Sequence, residues 1–231
     1  MNSLAVRSRQ EEQMDDPGLD PETYAAVLTD LASVNAWTFA ARPTLDFLRR
    51  GAKGMPAFRL LDVGFGHGDM LRRIARWARR RGIAVDLIGV DLNPKSAAIA
   101  RAATPVAWPI EYRTGDYREV AGELDFVISS AVTHHMSDAE IHAFLHFMEE
   151  KAARGWLVND IHRHGFAYFG FPLLCRIMAW HRMVREDGQL SIARGFRRDD
   201  WEALIADAGI DRAGLRIVRR FPFRLCVERL R

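Results

Sequence analysis

The 231 residues, 48% of them hydrophobic, suit one α/β domain with a sizeable core and some additions. The net charge of +3 comes largely from an arginine-rich stretch over residues 72–81, which we interpret as a solvated helix face and not as a nucleic-acid surface. Two cysteines without metal spacing, a polar N-terminus and the lack of an uncharged apolar run of about 18 residues argue against a disulfide scaffold, a signal peptide and a membrane span. We therefore expect a soluble, cytoplasmic protein.

The first 54 residues are predicted to lie outside the main domain. Residues 1–17 are polar and carry both charge signs, so we expect them to be disordered. Apolar side chains at helical spacing predict a helical extension over residues 18–54, with two helices that break near Pro43. Residues 55–231 then form the main domain, in which residues 161–197 are an insertion.

Residues 58–68 combine an apolar strand, a glycine-rich turn and the start of a helix. Gly64, Gly66 and Gly68 alternate in this turn, so the backbone can approach a ligand closely. The helix that follows presents free N–H groups to whatever lies in the turn. A dinucleotide-binding turn of the form G-x-G-x-x-G needs Gly or Ala at position 69, where this chain has Asp69. The spacing therefore argues against a nicotinamide cofactor.

A second apolar strand ends on Asp91, 25 residues after Gly66. An acidic residue at this position can accept hydrogen bonds from both ribose hydroxyls of a nucleoside. Further strands are predicted over residues 110–114, 124–130, 155–160, 215–218 and 223–227. Capping patterns predict helix starts at Asn93, at Ser137 and at Asp199, the last with Glu202 as its partner. Alternating strands and helices predict a doubly wound, three-layer sheet.

The run Asp62-x-Gly64-x-Gly66-x-Gly68, followed by the acid-ended strand, resembles motif I of class I S-adenosylmethionine-dependent methyltransferases. The resemblance covers residues 58–160 and implies a Rossmann-like seven-stranded sheet whose last strand is antiparallel. It also implies S-adenosyl-L-methionine as the cofactor, with Asp116 and Tyr117 holding the adenine. The cofactor-binding residues implied are Asp62, Gly64, Gly66, Gly68, Asp91, Leu92, Asp116, Tyr117 and Ser130. Phe65 and His67 depart from the family pattern, which more often has small residues between the glycines.

Two segments at the ends of strands four and five contain the candidate catalytic residues. The first contains His134 and His135, and the second contains Asp160 and His162. A histidine can take a proton near neutral pH, and a neighbouring carboxylate raises its basicity. In the alternative interpretation these histidines support the loop or are exposed, and methyl transfer proceeds by proximity alone.

We expect no metal ion. His142 and His146 are one helical turn apart, but neither a glutamate at the required position nor a nearby cysteine completes a metal site.

The aromatic side chains of the insertion predict a wall for a flat, apolar acceptor. We therefore expect a small aromatic substrate, with O-methylation of a phenolic or polyketide-like molecule as the reaction. Two alternatives stay open: C-methylation of a quinol-like ring, and a non-catalytic protein that binds a cofactor or a partner. The sequence does not indicate an oligomeric state.

Overall fold

The computed structural model describes residues 4–231, and its centre is one mixed sheet of seven strands. The spatial order is β3-β2-β1-β4-β5-β7-β6, and β7 runs antiparallel to both of its neighbours. The strands are β1 Ala57–Val63, β2 Ala84–Asp91, β3 Ile110–Thr114, β4 Leu124–Ser130, β5 Ala152–Ile161, β6 Leu215–Arg220 and β7 Arg224–Leu230. The predicted fold, with its antiparallel last strand, is confirmed.

Eight α-helices accompany the sheet within residues 4–231. They are α1 Pro21–Trp37, α2 Arg42–Gly51, α3 Asp69–Arg79, α4 Pro94–Ala102, α5 Asp138–Lys151, α6 Gly165–Ile177, α7 Arg182–Arg194 and α8 Arg198–Asp207. Successive strand side chains point to opposite faces, so Leu60 packs in the cluster of α2 and α3, and Leu61 packs in the cluster of α5 and α8. The sheet therefore separates two hydrophobic cores, each covered by helices, which gives the three layers.

Local capping chemistry explains most of the helix starts. The Asn93 side chain accepts a hydrogen bond from the Lys95 backbone, and Ser137 and Glu140 form a reciprocal capping box, as predicted. The predicted box at Asp199 is wrong, because α8 already begins at Arg198 and Asp200 accepts from the Arg197 backbone N–H.

The helical extension has its predicted two helices, but they separate at residues 38–41, before Pro43. Pro43 lies in the first turn of α2, where a backbone N–H would have no intrahelical acceptor, so proline is tolerated there.

The N-terminal stretch differs from its predicted disorder. Residues 1–3 lie outside the described residues, whereas residues 4–17 form a segment that contacts α7. The backbone N–H groups of Gln13 and Met14 donate to the buried Asp187 carboxylate at 3.0 and 2.9 Å, and Ser8 N–H donates to the Ala193 carbonyl at 3.0 Å. A buried carboxylate needs such donors, and its partners lie more than 170 residues away, beyond the reach of local composition.

The insertion forms α6 and α7, which pack against each other and share a small core with α1. Val27 and Val34 of α1 join Cys175 and Val184 in a small third core. These helices form a layer across the carboxyl ends of the central strands. No helix among residues 4–231 combines the length and apolarity that crossing a bilayer requires.

Candidate active site

A cavity of about 1000 Å³ lies between the carboxyl ends of the central strands and the helical layer. Asp62 and Gly64 at the end of β1, Asp91 at the end of β2 and Ser130 at the end of β4 line its floor. Strand order reverses between β1 and β4, and open parallel sheets bind ligands at such a switch point. The sheet therefore places this cavity where the sequence analysis expects the cofactor.

The glycine-rich turn has a backbone that only glycine accommodates. Gly64 has φ +75°, and a Cβ there would lie 2.4 Å from Val132 Cγ2. Gly68 has φ +77°, and a Cβ there would lie 2.5 Å from the Tyr112 hydroxyl. Gly64 and Gly66 line the cavity, whereas Gly68 caps the N-terminus of α3. The turn thus presents bare backbone to a ligand.

Asp91 connects the end of β2 to the glycine-rich turn after β1 through a hydrogen bond. Its Oδ2 accepts a hydrogen bond from Gly66 N–H at 2.9 Å, and its Oδ1 accepts one from Asn93 N–H at 2.9 Å. Burial raises the pKa of this carboxyl above its usual range, although both backbone donors oppose the shift. Leu92, the next residue, is 78% exposed and lines the same cavity.

Asp62 is a buried carboxylate that lacks one partner. Its Oδ1 is fully buried and has no hydrogen-bond partner among residues 4–231. Burial, followed by the nearby charges of Asp69 and Asp91, raises the pKa of Asp62 well above its usual range. Asp62 lines the cavity, so a positively charged ligand group beside it would satisfy the orphaned oxygen and favour its ionised form.

The two predicted adenine residues are not among the residues that line the described cavity. The Asp116 carboxylate accepts from the Arg118 backbone N–H at 2.9 Å and also pairs with the Arg118 guanidinium. The Tyr117 ring packs edge-on against Phe144 and Phe147, with centroids 5.0 and 4.8 Å away. Their role in holding adenine stays a prediction.

The structure joins the two candidate catalytic segments through hydrogen bonds to Asp160. His134 Nδ1 lies 2.7 Å from Asp160 Oδ1, and Asp160 Oδ2 accepts from the Thr133 hydroxyl at 2.5 Å and from the His134 backbone at 3.0 Å. Asp160 is wholly buried and His134 is 3% exposed, yet His134 lines the cavity. Asp160 on β5 therefore orients a histidine that follows β4.

The hydrogen bonds to Asp160 determine its charge and the tautomer of His134. Burial alone would raise the pKa of Asp160, but the His134 imidazole and hydrogen bonds from Thr133 and Ile161 hold it well below its usual range. An ionised Asp160 accepts a hydrogen bond from His134 Nδ1–H, and in this tautomer of the neutral imidazole the lone pair lies on Nε2. That Nε2 lies 3.6 Å from Oε1 of Glu12.

His135 makes a similar pair with the N-terminal segment. Its Nδ1 lies 2.9 Å from Asp15 Oδ2, and its Nε2 lies 3.8 Å from Glu12 Oε2. Burial opposes the charged imidazole, but Asp15 and Glu12 outweigh burial and raise the pKa of His135. We call Glu12, Asp15, His134, His135 and Asp160 the histidine cluster.

Sequence reasoning missed the contributions of Glu12 and Arg194. Glu12 is 4% exposed, and its Oε1 accepts from the Ser191 hydroxyl at 2.9 Å. Arg194 Nε lies 3.8 Å from Glu12 Oε1 and donates to the His134 carbonyl at 3.1 Å. Glu12 lies in a polar N-terminal stretch without periodicity and Arg194 lies at the end of α7, and no local pattern links the two.

Glu12, His134 and His135 each offer a ligand atom, and these atoms lie within 4.8 Å of one another. Such a spacing can hold a metal ion, and the cationic Arg194 beside Glu12 opposes one. The expectation that no metal binds stays a prediction.

His162 is placed apart from the cluster. It is 9% exposed, is not among the residues that line the described cavity, and donates its backbone N–H to the Phe223 carbonyl at 2.8 Å. Burial, followed by the charge of Arg219, lowers the pKa of His162 to about 4. His164 caps α6 by accepting from Phe166 N–H at 3.2 Å. The structure therefore favours His134 and His135 over His162 as groups that contact a ligand.

Comparison with known proteins gives one family match and one curated relative. Residues 60–155 match a family model described as a methyltransferase domain. A probable fatty acid methyltransferase of Mycobacterium tuberculosis is 34% identical over 115 residues, which are 47% of this chain and 26% of that protein. The chain thus spans about a quarter of the relative's length.

Solved structures resemble the fold at low identity. Magnesium protoporphyrin IX methyltransferase from Synechocystis PCC 6803 with bound SAH superposes with a TM-score of 0.51 at 19% identity, over 88% of this chain and 82% of that one. Human N-acetylserotonin methyltransferase in complex with SAM gives a TM-score of 0.62 at 14% identity, over 92% of this chain and 56% of that one.

Proposed function

We propose that this chain methylates a small aromatic acceptor, because residues 60–155 match a methyltransferase domain and the seven-stranded sheet has the antiparallel last strand that the motif I resemblance implies. The methyl donor is S-adenosyl-L-methionine, and the methyl group goes to a phenolic oxygen. The observation that carries this proposal is the His134–Asp160 pair at the cavity that the glycine-rich turn also lines. It unites a methyl-donor site with a base for an oxygen acceptor.

The residues present fit this cofactor. Asp91 accepts from ribose hydroxyls, the bare backbone of Gly64 and Gly66 allows close approach, and Asp62 Oδ1 lacks the partner that an ammonium group supplies. The cofactor, when bound, supplies an electrophilic methyl group on a sulfonium. The protein's own part is to place the acceptor oxygen in line with that group, since positioning supplies much of the acceleration of such displacements.

His134 removes the proton that the acceptor oxygen loses. Its Nδ1–H donates to Asp160, so Nε2 would accept the phenolic proton as the acceptor oxygen displaces sulfur from the methyl carbon. The ionised Asp160 then stabilises the imidazolium that results. The imidazolium formed at His134 has its Nε2 3.6 Å from Glu12 Oε1, and this second carboxylate stabilises the positive charge.

The cavity walls support an apolar, small-molecule acceptor. Apolar side chains from three helices line it: Leu28 and Leu31 of α1, Phe171 and Leu174 of α6, and Ile192 of α7. The proteins that resemble this chain are described as acting on a fatty acid, on magnesium protoporphyrin IX and on N-acetylserotonin. All three are small molecules, which supports a small-molecule acceptor here.

Two measurements test this proposal. Calorimetric titration with S-adenosylhomocysteine, with NADH as the control, should show micromolar binding of the former alone. Phenols and quinols are then screened for a methyl-group mass gain, and fragmentation of the product separates O- from C-methylation. Absence of S-adenosylhomocysteine binding would overturn the proposal and favour a non-catalytic, partner-binding protein.

The base is tested by His134→Gln at saturating cofactor. We expect the rate to fall by about 10²–10⁴-fold with little change in cofactor affinity. His146→Gln is the matched control, because His146 is exposed on α5 and is not among the residues that line the cavity. An unchanged rate in His134→Gln would exclude His134 as the base and indicate that methyl transfer proceeds by positioning of the acceptor alone.

A further inference from the structure

Helix α6 presents an apolar stripe to solvent. Phe166, Phe169, Leu173 and Ile177 are 72, 75, 59 and 71% exposed, and their spacing of three or four residues places them on one helix face. Large apolar side chains clustered on a surface mark a site of interaction, because their exposure to water is unfavourable. Folding of the chain as described leaves this stripe uncovered.

The stripe continues onto the turn between β6 and β7. Phe221 in that turn is 76% exposed, and the Phe223 ring stacks on the Phe166 ring with centroids 5.8 Å apart. We call Phe166, Phe169, Leu173, Ile177 and Phe221 the apolar rim. All of them except Phe169 also line the cavity, so the cavity opens through the rim.

Exposed arginines lie next to the rim in sequence. Residues 161–185, which include α6, contain four arginines and neither aspartate nor glutamate. Residues 212–227, which include the turn, contain five arginines and again no acidic residue. Arg176 on α6 and Arg219 on β6 are exposed, and Arg219 lies close enough to His162 to lower its pKa. Other arginines of these segments pair with nearby acids, such as Arg163 with Asp200 and Arg216 with Glu228, so the positive charge beside the rim comes from Arg176 and Arg219.

We propose that the apolar rim docks the protein on an anionic lipid surface. Aromatic and aliphatic side chains would enter the interface between headgroups and acyl chains, while arginines contact acidic headgroups. A second copy of this chain fits less well, because it would bring arginine-rich segments against each other.

Docking of this kind also specifies how the acceptor arrives. An amphiphilic acceptor dissolved in the lipid passes through the rim, with its polar ring towards His134 and its apolar tail along α6. This second statement rests on the proposed methyl transfer, whereas lipid docking itself does not. The two are therefore measured separately.

Vesicle flotation of the full chain, without cofactor or acceptor, tests docking. Vesicles of phosphatidylcholine alone are compared with vesicles containing phosphatidylglycerol, and we expect the protein to float only with the latter. Phe169→Asp removes one rim side chain and adds a charge that acidic lipid repels, so bound protein should fall by about tenfold. Phe169 is chosen because it does not line the cavity.

The matched control is Val106→Asp. Val106 is an exposed apolar residue in the loop between α4 and β3 and is not among the cavity-lining residues, so this variant should float like the unmodified chain. Protein that stays in the soluble fraction with both vesicle types would overturn the proposal. Equal flotation of the two variants would do the same, as would a dimer in size-exclusion chromatography that Phe169→Asp dissociates.

Methyl transfer to alkylphenols of increasing chain length, presented in vesicles, then tests the route of entry. Phe169→Asp should lower transfer to the long-chain members and spare the water-soluble ones. Flotation with no transfer to any phenol would refute the proposed function alone, and transfer that is insensitive to vesicles and to Phe169→Asp would refute the lipid route alone.

Discussion

Replacement of Asp91 by alanine should weaken cofactor binding by a predictable amount. The Asp91 carboxylate is oriented by Gly66 N–H and Asn93 N–H, both at 2.9 Å, and each oxygen retains a lone pair for a ribose hydroxyl. A hydrogen bond to a charged group contributes about 1.5–3 kcal/mol, so two of them contribute at least about 3 kcal/mol. At about 1.4 kcal/mol per factor of ten, Kd for S-adenosylhomocysteine should rise at least roughly 100-fold.

Calorimetry at pH 7.5 measures this loss directly, with Tm recorded to verify folding. Glu111→Ala is the matched control, since Glu111 is an exposed acid on the neighbouring strand whose carboxylate pairs with Arg113. Burial raises the pKa of Asp91, so affinity of the unmodified chain should also fall as pH drops through that raised pKa. A folded Asp91→Ala protein with Kd within about threefold of the unmodified value would refute the ribose assignment.

The other predictions concern the histidine cluster and the adenine residues. Asp160→Asn should lower kcat by about 10²–10⁴-fold and leave S-adenosylhomocysteine affinity unchanged, because Asp160 acts through His134; a matching loss of affinity would indicate a structural role. Asp116→Ala should raise the Kd for S-adenosylhomocysteine by at least about tenfold, the loss expected when a hydrogen bond to a charged group is removed, and an unchanged calorimetric Kd would refute the adenine role. The pKa of His135 is raised on folding, so its stabilising effect is complete below about pH 6.5 and is lost as pH rises through the raised value. Tm should therefore fall over that interval in the unmodified chain more than in His135→Gln, and parallel curves would contradict this. Activity should survive EDTA, because Arg194 already supplies positive charge beside Glu12; loss of activity restored by a divalent ion would show that the cluster binds metal.

Motifs confined to a short stretch could be interpreted from the sequence because their chemistry is local. The alternate glycines after β1 need a backbone that side chains forbid, and the caps at Asn93 and Ser137 use neighbours two or three residues away. Alternating buried strands and amphipathic helices likewise predicted the doubly wound sheet. Two of the helix boundaries were misplaced, because either of two adjacent acids can cap α8 and because Pro43 is tolerated in a first helical turn.

The sequence by itself determined the sheet, the glycine-rich turn and the acidic residue at the end of β2. Only the tertiary structure decided the partners of the histidines. Asp160 lies 26 residues from His134, and Glu12 lies 122 residues before it, so no local pattern could pair them. Their pairing follows from adjacent parallel strands β4 and β5, which bring Asp160 beside His134, and from a buried Asp187 that holds the N-terminal segment over the cavity. Buried charged groups require partners, and in this fold those partners come from residues that are distant in sequence.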